Sequence, residues 1–298
     1  MSTPWVAIQR NPTSGRGNRA SLLKDLMCHL KQKGIRPRLF SNRERMQERL
    51  LQKSAENQPL CIVAAGGDGT VQEMINRYPN QRIAILPLGT ENLLARYLGI
   101  PKSGQFVAEM ISQGATREID LCQMDDRKFI LMASIGFDAA VVLDLSLIRK
   151  GNISYLSYLK PLWKTLWSYS FEPLYITTKA QEPEITAYHA IVVNIPAYGL
   201  NLNFAPDAQD LDGLLDLIVF KKKGLWNMLK YLFQIIRGTH LNSEGVQILQ
   251  VKEICIQSAH PVAVQTDGDA SGTTPTNIKI IPSAGRFIVP CSTRSNDQ

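Results

Sequence analysis

The sequence lacks any uninterrupted apolar run near the roughly 18 residues that a membrane-spanning helix needs, so an integral membrane protein is not expected. Its five cysteines, Cys28, Cys61, Cys122, Cys255 and Cys291, are far apart and form no C-x-x-C pair. That argues against a disulfide framework and a structural zinc site and fits a reducing cytoplasm. The opening MSTPWVAIQR has no basic segment ahead of a long apolar stretch, which predicts no secretory signal. Gly-Lys-Ser/Thr and G-x-G-x-x-G loops are also missing, so neither a P-loop NTPase nor a Rossmann dinucleotide site is expected. His29, His189, His240 and His260 show no metal or triad spacing, and there is no internal repeat.

What is present is a chain of 298 residues, 44% hydrophobic and 20% charged, able to bury a core unaided and long enough for two domains. The net charge of +7 is uneven: residues 1–150 hold 21 basic and 14 acidic side chains, and residues 151–298 hold 12 of each. The basic excess before residue 54 should attract phosphates, nucleic acid or an acidic lipid surface, or else form a solvated face.

The first half alternates strand, loop and helix. Trp5–Gln9 reads as a strand ending in Asn11-Pro12-Thr13-Ser14-Gly15, and Arg19–Lys33 carries apolar residues at helical spacing. Arg36–Phe40 is a second strand. Leu60–Ala65 is a third, followed at once by Gly66-Gly67-Asp68-Gly69-Thr70 and a helix over Val71–Tyr78. Arg82–Leu86 ends in Pro87-Leu88-Gly89-Thr90-Glu91-Asn92 and a helix through Tyr97. This rhythm implies a parallel sheet with its ligand at the carboxyl ends of the strands, where all three polar loops fall. After about residue 118, short β-like segments and turns predict an antiparallel sandwich or barrel, interrupted by helical stretches at Tyr155–Tyr169 and Leu225–Arg237. The expected architecture is an α/β nucleotide-binding domain over residues 1–120 and a β-sandwich domain over 121–298.

Glycines in the second loop permit close approach of a ligand, and successive N–H groups at a helix start favour an anion. Asp68 beside such a site needs a metal ion or a proton; as a plain turn, Asp68 or Thr70 would instead cap the helix. The turns Asp210-Leu211-Asp212-Gly213-Leu214 and Asp267-Gly268-Asp269 read alone as hairpin turns, the second of them solvated.

Taken together and in order, Asn11–Gly15, Gly66–Asn76 and Pro87–Arg96 resemble the three loops of the diacylglycerol-kinase-like lipid kinases, which include bacterial diacylglycerol kinases and are related to sphingosine and ceramide kinases. The resemblance spans nearly the whole chain. It implies ATP lying across Asn11, Pro12, Thr13, Ser14, Gly15, Ser41, Gly66, Gly67, Asp68, Gly69, Thr70, Val71, Gln72, Glu73, Gly89, Thr90 and Asn92. It also implies a structural Mg²⁺ held by the Asp212 carboxylate and the backbone carbonyls of Gln209 and Leu214. Asp68 and Asp120 would serve the catalytic Mg²⁺. Asp269 would accept the proton of a lipid hydroxyl entering between the domains, with Asp267 as the alternative.

Three positions depart from the family. Leu93 stands where an aspartate is common, Gln72 where asparagine is usual, and Asp269 where glutamate is usual. These departures leave a catalytically weakened nucleotide- or lipid-binding regulator as one alternative. An NAD kinase, which shares the second loop, is another. The expected partners are ATP and a lipid at a membrane surface, with no nucleic acid and a homodimer left open. Lys221–Lys223 with the apolar Leu225–Arg237 stretch, or Tyr155–Tyr169 with Trp163 and Trp167, could reach that surface; either stretch could equally pack on a sheet.

Overall fold

Four strands, buried or partly so, set up the first half. β1 (Trp5–Arg10), β2 (Arg36–Phe40), β3 (Ile62–Gly66) and β4 (Arg82–Pro87) pair in parallel in the order β2-β1-β3-β4. A computed structural model of the chain describes residues 3–10, 19–51, 58–148, 169–178, 181–196, 202 and 204–291. β3 is IVAAG and is buried along its whole length, as a strand covered on both faces must be. Between the strands run α1 (Arg19–Gln32), α2 (Arg43–Leu51) and α3 (Asp68–Arg77), and after β4 come α4 (Leu93–Tyr97) and α5 (Gly104–Gln113). Because the four strands are parallel, their carboxyl ends at Arg10, Phe40, Gly66 and Pro87 all lie along one edge of the sheet. The loop Asn11–Gly15 that follows β1 lies outside the described residues.

The chain divides into two compact units, Met1–Ile119 with Ala284–Gln298, and Asp120–Ser283. The return of the segment from Ala284 differs from the sequence expectation, which kept everything after residue 120 in the second domain. The return is made by β16 (Thr276–Ile288), whose Arg286 and Phe287 pair in parallel with Arg82 and Ile83 of β4.

In the second unit one layer runs β12 (Val246–Val251), β11 (Leu215–Phe220), β10 (His189–Val193), β7 (Met132–Ile135), β14 (Ala263–Thr266), β15 (Asp269–Thr273). The other contains β16, β13 (Glu253–Gln257), β8 (Leu174–Thr178) and β9 (Gln181–Ala187), paired antiparallel in that order. β5 (Thr116–Met124) and β6 (Arg127–Phe129) form a further antiparallel pair. Phe129, Ile135, Leu174, Ile176, Val192, Leu217, Ile254, Val264 and Ile278 from these strands make one apolar core, the sandwich that the alternating segments predict. α6 (Phe137–Ile148) follows β7. β11 is buried at every position, and its Phe220 packs on Tyr231 of α7 (Leu225–Ile236), ring centroids 5.0 Å apart.

The start of α5 shows how tightly the first unit is joined. Ser103 accepts the Phe106 N–H at 3.2 Å as an N-cap, and Asp25 of α1 accepts the Gln105 N–H at 2.9 Å. A Cβ at Gly104 would run into the Leu26 nitrogen and the Leu22 carbonyl of α1. Gly104→Ala should therefore push the two helices apart and cost about 1–3 kcal/mol, read as a lower urea midpoint with an unchanged slope.

Candidate functional site

The second and third glycine loops form one built object. Gly66 ends β3, and its carbonyl accepts the Leu88 N–H at 2.8 Å. Gly67 and Gly89 meet Cα to backbone: a Cβ on Gly89 would lie 2.6 Å from the Gly67 Cα and 2.7 Å from Asn92 Oδ1. At position 89 only glycine fits. Asn92, buried and left-handed at φ 51°, clamps the third loop by accepting the Gly89 N–H at 2.7 Å and donating to the Gly89 carbonyl at 2.9 Å.

Asp68 ties the two loops together. Its carboxylate accepts the Leu93 N–H at 3.0 Å and the Leu94 N–H at 3.2 Å. These are orphan donors at the start of α4, a helix whose own N-cap side chain makes no such bond. Burial pushes the Asp68 carboxyl up, opposed by those two backbone bonds. The Leu93 main chain makes this contact whatever its side chain, so a leucine where the resemblance implies an aspartate does not break the frame. Two parts of the crest lie open, Gly69 and Thr90.

The other residues predicted to meet the nucleotide sort differently. Thr70 is buried, with its hydroxyl against Gly66, and Val71 and Gln72 are buried. Glu73 is paired with Arg43 at 2.7 Å. Ser41 is exposed just beyond β2, next to a groove of about 500 Å³ lined by Arg38, Leu39, Phe40, Arg45, Glu48 and Arg49. Arg38 stacks on Trp5 at 4.6 Å, and burial followed by Arg49 and Arg36 pushes its guanidinium down.

In the second unit, the acids separate by what holds them. Asp120 is buried, and its two oxygens accept the Gly213 and Ser283 N–H groups, each at 2.7 Å. This carboxylate, expected beside the catalytic metal, anchors the Asp212-Gly213 turn through one oxygen and Ser283 of β16 through the other. Asp212 is exposed and accepts the Leu214 N–H at 2.9 Å; Gln209 is exposed and Leu214 partly so. Asp216 is pushed up first by burial and then by the Asp212 and Asp207 charges. The turn therefore carries the negative potential that a hard cation would relieve.

Asp267 and Gly268 form the two-residue hairpin turn between β14 and β15, both at positive φ, 51° and 84°. The Asp267 carboxylate accepts three backbone N–H groups, from Ile130 at 2.9 Å, Leu131 at 2.8 Å and Met132 at 3.1 Å. That occupation suits a structural anchor better than a proton acceptor. Asp269 opens β15, half-buried, with Arg127 at 3.8 Å.

A polar chain beneath this turn has no counterpart in sequence reasoning. Gly268 N–H donates to Gln265 Oε1 at 2.8 Å and Gln265 Nε2 to Ser134 Oγ at 3.0 Å. The Ser134 hydroxyl donates to Asp138 at 2.6 Å, and Asp138 stands 3.6 Å from His189. Burial pushes the His189 imidazole down, against the pull of Asp138. Ser134 and Asp138 are four apart across a strand end and a helix start, and His189 is distant in sequence, so no motif could signal them.

If Asp267 is a structural clamp and Asp269 is not, they should separate by stability. Asp267→Ala would strand three backbone donors, all on buried residues (Ile130, Leu131 and Met132), and should cost about 3 kcal/mol or more. Asp269→Asn should stay within about 0.5 kcal/mol of the parent. Chemical denaturation of both variants checks this.

The family profile described as the Diacylglycerol kinase catalytic domain matches residues 6–124. That described as the YegS C-terminal NAD kinase beta sandwich-like domain matches residues 132–289, more than half of the chain. A diacylglycerol kinase of Bacillus subtilis is 27% identical over 72% of this chain and 72% of its own length. A diacylglycerol kinase of Mycobacterium tuberculosis is 26% identical over 96% of this chain and 95% of its own. A crystal structure of a diacylglycerol kinase from Bacillus anthracis strain Sterne superposes with a TM-score of 0.72 over 97% of each chain at 24% identity, which speaks to the fold.

Proposed function

The chain belongs to the diacylglycerol-kinase-like family of lipid kinases, and from that premise we propose that it transfers the γ-phosphate of ATP, with Mg²⁺, to a hydroxyl of a diacylglycerol-type lipid. The observation that carries the nucleotide half of this reading is the Gly67–Gly89 crossing. It holds two loops at neighbouring parallel strand ends and leaves Gly69 and Thr90 open. A polyphosphate needs backbone donors at close range and no side chain in the way. ATP would lie along this edge, from Ser41 past Asn11–Gly15 to Gly67–Asp68 and Thr90. Thr70, Val71, Gln72 and Asn92 serve it by shaping the loops.

Transfer to an alcohol requires a carboxylate for the hydroxyl proton, because the free hydroxyl is a very weak acid. Asp269 takes that role. Asp267 has its oxygens turned to three backbone amides, and Asp120 has both of its own turned to two. Neither competes. The aspartate is one methylene shorter than the family's glutamate, and its turn is fixed from below by Asp267 and Gln265.

When bound, Mg²⁺ offsets negative charge on the phosphates during transfer. Asp68 would serve it through water, since each of its oxygens accepts only one of the two backbone bonds described and keeps a lone pair; the same holds for Asp120, whose two oxygens also accept one backbone bond each. At the other turn, Asp212 with the carbonyls of Gln209 and Leu214 would hold a structural Mg²⁺. The acidic surroundings of Asp216 support that assignment.

Two experiments test the reading. Asp269→Asn should lower phosphate transfer from labelled ATP to diacylglycerol by about 10²-fold or more, while nucleotide affinity, measured by calorimetry, is kept; unchanged turnover removes Asp269 from its role. For the structural cation, millimolar Mg²⁺ should raise the melting temperature of the parent protein and fail to raise that of Asp212→Asn. Equal shifts in the two proteins would remove the metal from that turn.

A further inference from the structure

α7 has two apolar faces, and only one of them is used. Tyr231 and Ile235 are buried, with Tyr231 against Phe220. The opposite stripe is left in water: Trp226 is 83% exposed, Ile236 64%, Phe233 57% and Leu232 41%. At 3.6 residues per turn these four fall on one side of the helix. A single exposed leucine needs no explanation, but a continuous stripe with two aromatics marks a surface that something covers.

The charge around the stripe says what kind of surface. From Leu217 to Ser243 there is no Asp or Glu, while Lys221, Lys222, Lys223, Lys230 and Arg237 fall within the same stretch. All five are exposed. Lys222 is engaged by Glu244 at 2.7 Å, and the Arg237 guanidinium lies over the Phe233 ring at 5.3 Å. Two copies of this face would bring basic rims together with no acid in the stretch to answer them. An anionic headgroup layer answers them directly, and the bilayer beneath receives the aromatic and aliphatic side chains. With 12 residues, α7 is too short to cross a membrane and long enough to lie in its surface.

We propose that α7 is the membrane-docking element of this protein: it lies in the interface of an anionic bilayer with Trp226, Leu232, Phe233 and Ile236 inserted and Lys221, Lys223, Lys230 and Arg237 at the headgroups. The purpose of the docking rests on the lipid-kinase reading, since the acceptor's acyl chains keep it in the bilayer; the exposed stripe and its basic rim do not.

The test uses the full chain and vesicles of phosphatidylcholine with and without phosphatidylglycerol. The parent should bind the phosphatidylglycerol vesicles and lose binding with added salt. Trp226→Ser with Phe233→Ser should weaken that binding about a hundredfold, and Lys221→Gln or Lys230→Gln about fivefold each. These side chains are exposed, so circular dichroism and melting should be unchanged in all variants. Transfer to a short-chain diacylglycerol presented as monomers should also be unchanged, while transfer to long-chain diacylglycerol in vesicles falls. Equal vesicle binding by parent and double variant overturns the docking proposal even if transfer is observed. So does a parent dimer that becomes monomeric in the double variant while vesicle binding stays intact, because the stripe would then be covered by a second copy. Loss of vesicle binding in the double variant, with no transfer to any acceptor by the parent, upholds the docking element and sinks the kinase reading separately.

Discussion

A carboxylate oxygen accepting a backbone N–H is the interaction on which both halves of this protein depend. Loops and helix starts leave main-chain donors without strand or helix partners, and burying them unpaired costs free energy. Asp68 answers two such donors at the start of α4, Asp120 answers one from the Asp212-Gly213 turn and one from Ser283 of β16, and Asp267 answers three. Each of these bonds involves a charged acceptor and is stronger than its neutral counterpart, and each joins segments far apart in sequence. The aspartates that a motif search marks as catalytic are in large part what holds the turns still.

This explains why the site was only partly legible beforehand. Glycine loops between a buried strand and a helix are visible in sequence because geometry dictates residue type there: no side chain fits between Gly67 and Gly89. The strands around them were legible for the same reason, through continuous apolar runs such as IVAAG. An aspartate in an Asp-Gly turn carries no comparable information. Asp267 and Asp269 sit two residues apart, one turned to three amides and the other to Arg127, and their letters are identical. What distinguishes them is the break between β6 and β7, where Ile130 and Leu131 present their N–H groups. No turn residue marks that break: Phe129-Ile130-Leu131-Met132-Ala133-Ser134 is apolar through it and reads as one continuous strand.

Elsewhere the misses have local causes. α6, FDAAVVLDLSLI, is apolar nearly all the way round, so it lacks the one-sided periodicity that signals a helix. β16 runs for 13 residues through Pro282 and Gly285, which punctuate a strand on paper; Ser283 takes positive φ there and its N–H goes to Asp120. α7 was legible as a helix and ambiguous as a surface. A stripe that packs on a sheet and a stripe that meets lipid have the same spacing. Only burial separates them, and here the helix has one buried stripe and one exposed stripe.

In the proposed lipid-kinase reading, the aspartate at position 269, where the resemblance implies a glutamate, is understood through the same carboxylate bonds. A shorter acid has fewer rotatable bonds, so its oxygens range over a smaller volume and depend more on where the backbone puts them. Backbone placement is what this turn provides: Asp267 is fastened to three amides, and the Gly268 N–H is fastened to Gln265, itself held through Ser134 and Asp138. A loosely mounted turn would need the longer side chain to search for its partner. A turn fixed from below on buried polar groups can present a short one, because preorganised geometry replaces reach. The polar chain from Gly268 to His189 and the missing methylene at Asp269 are then two sides of one arrangement.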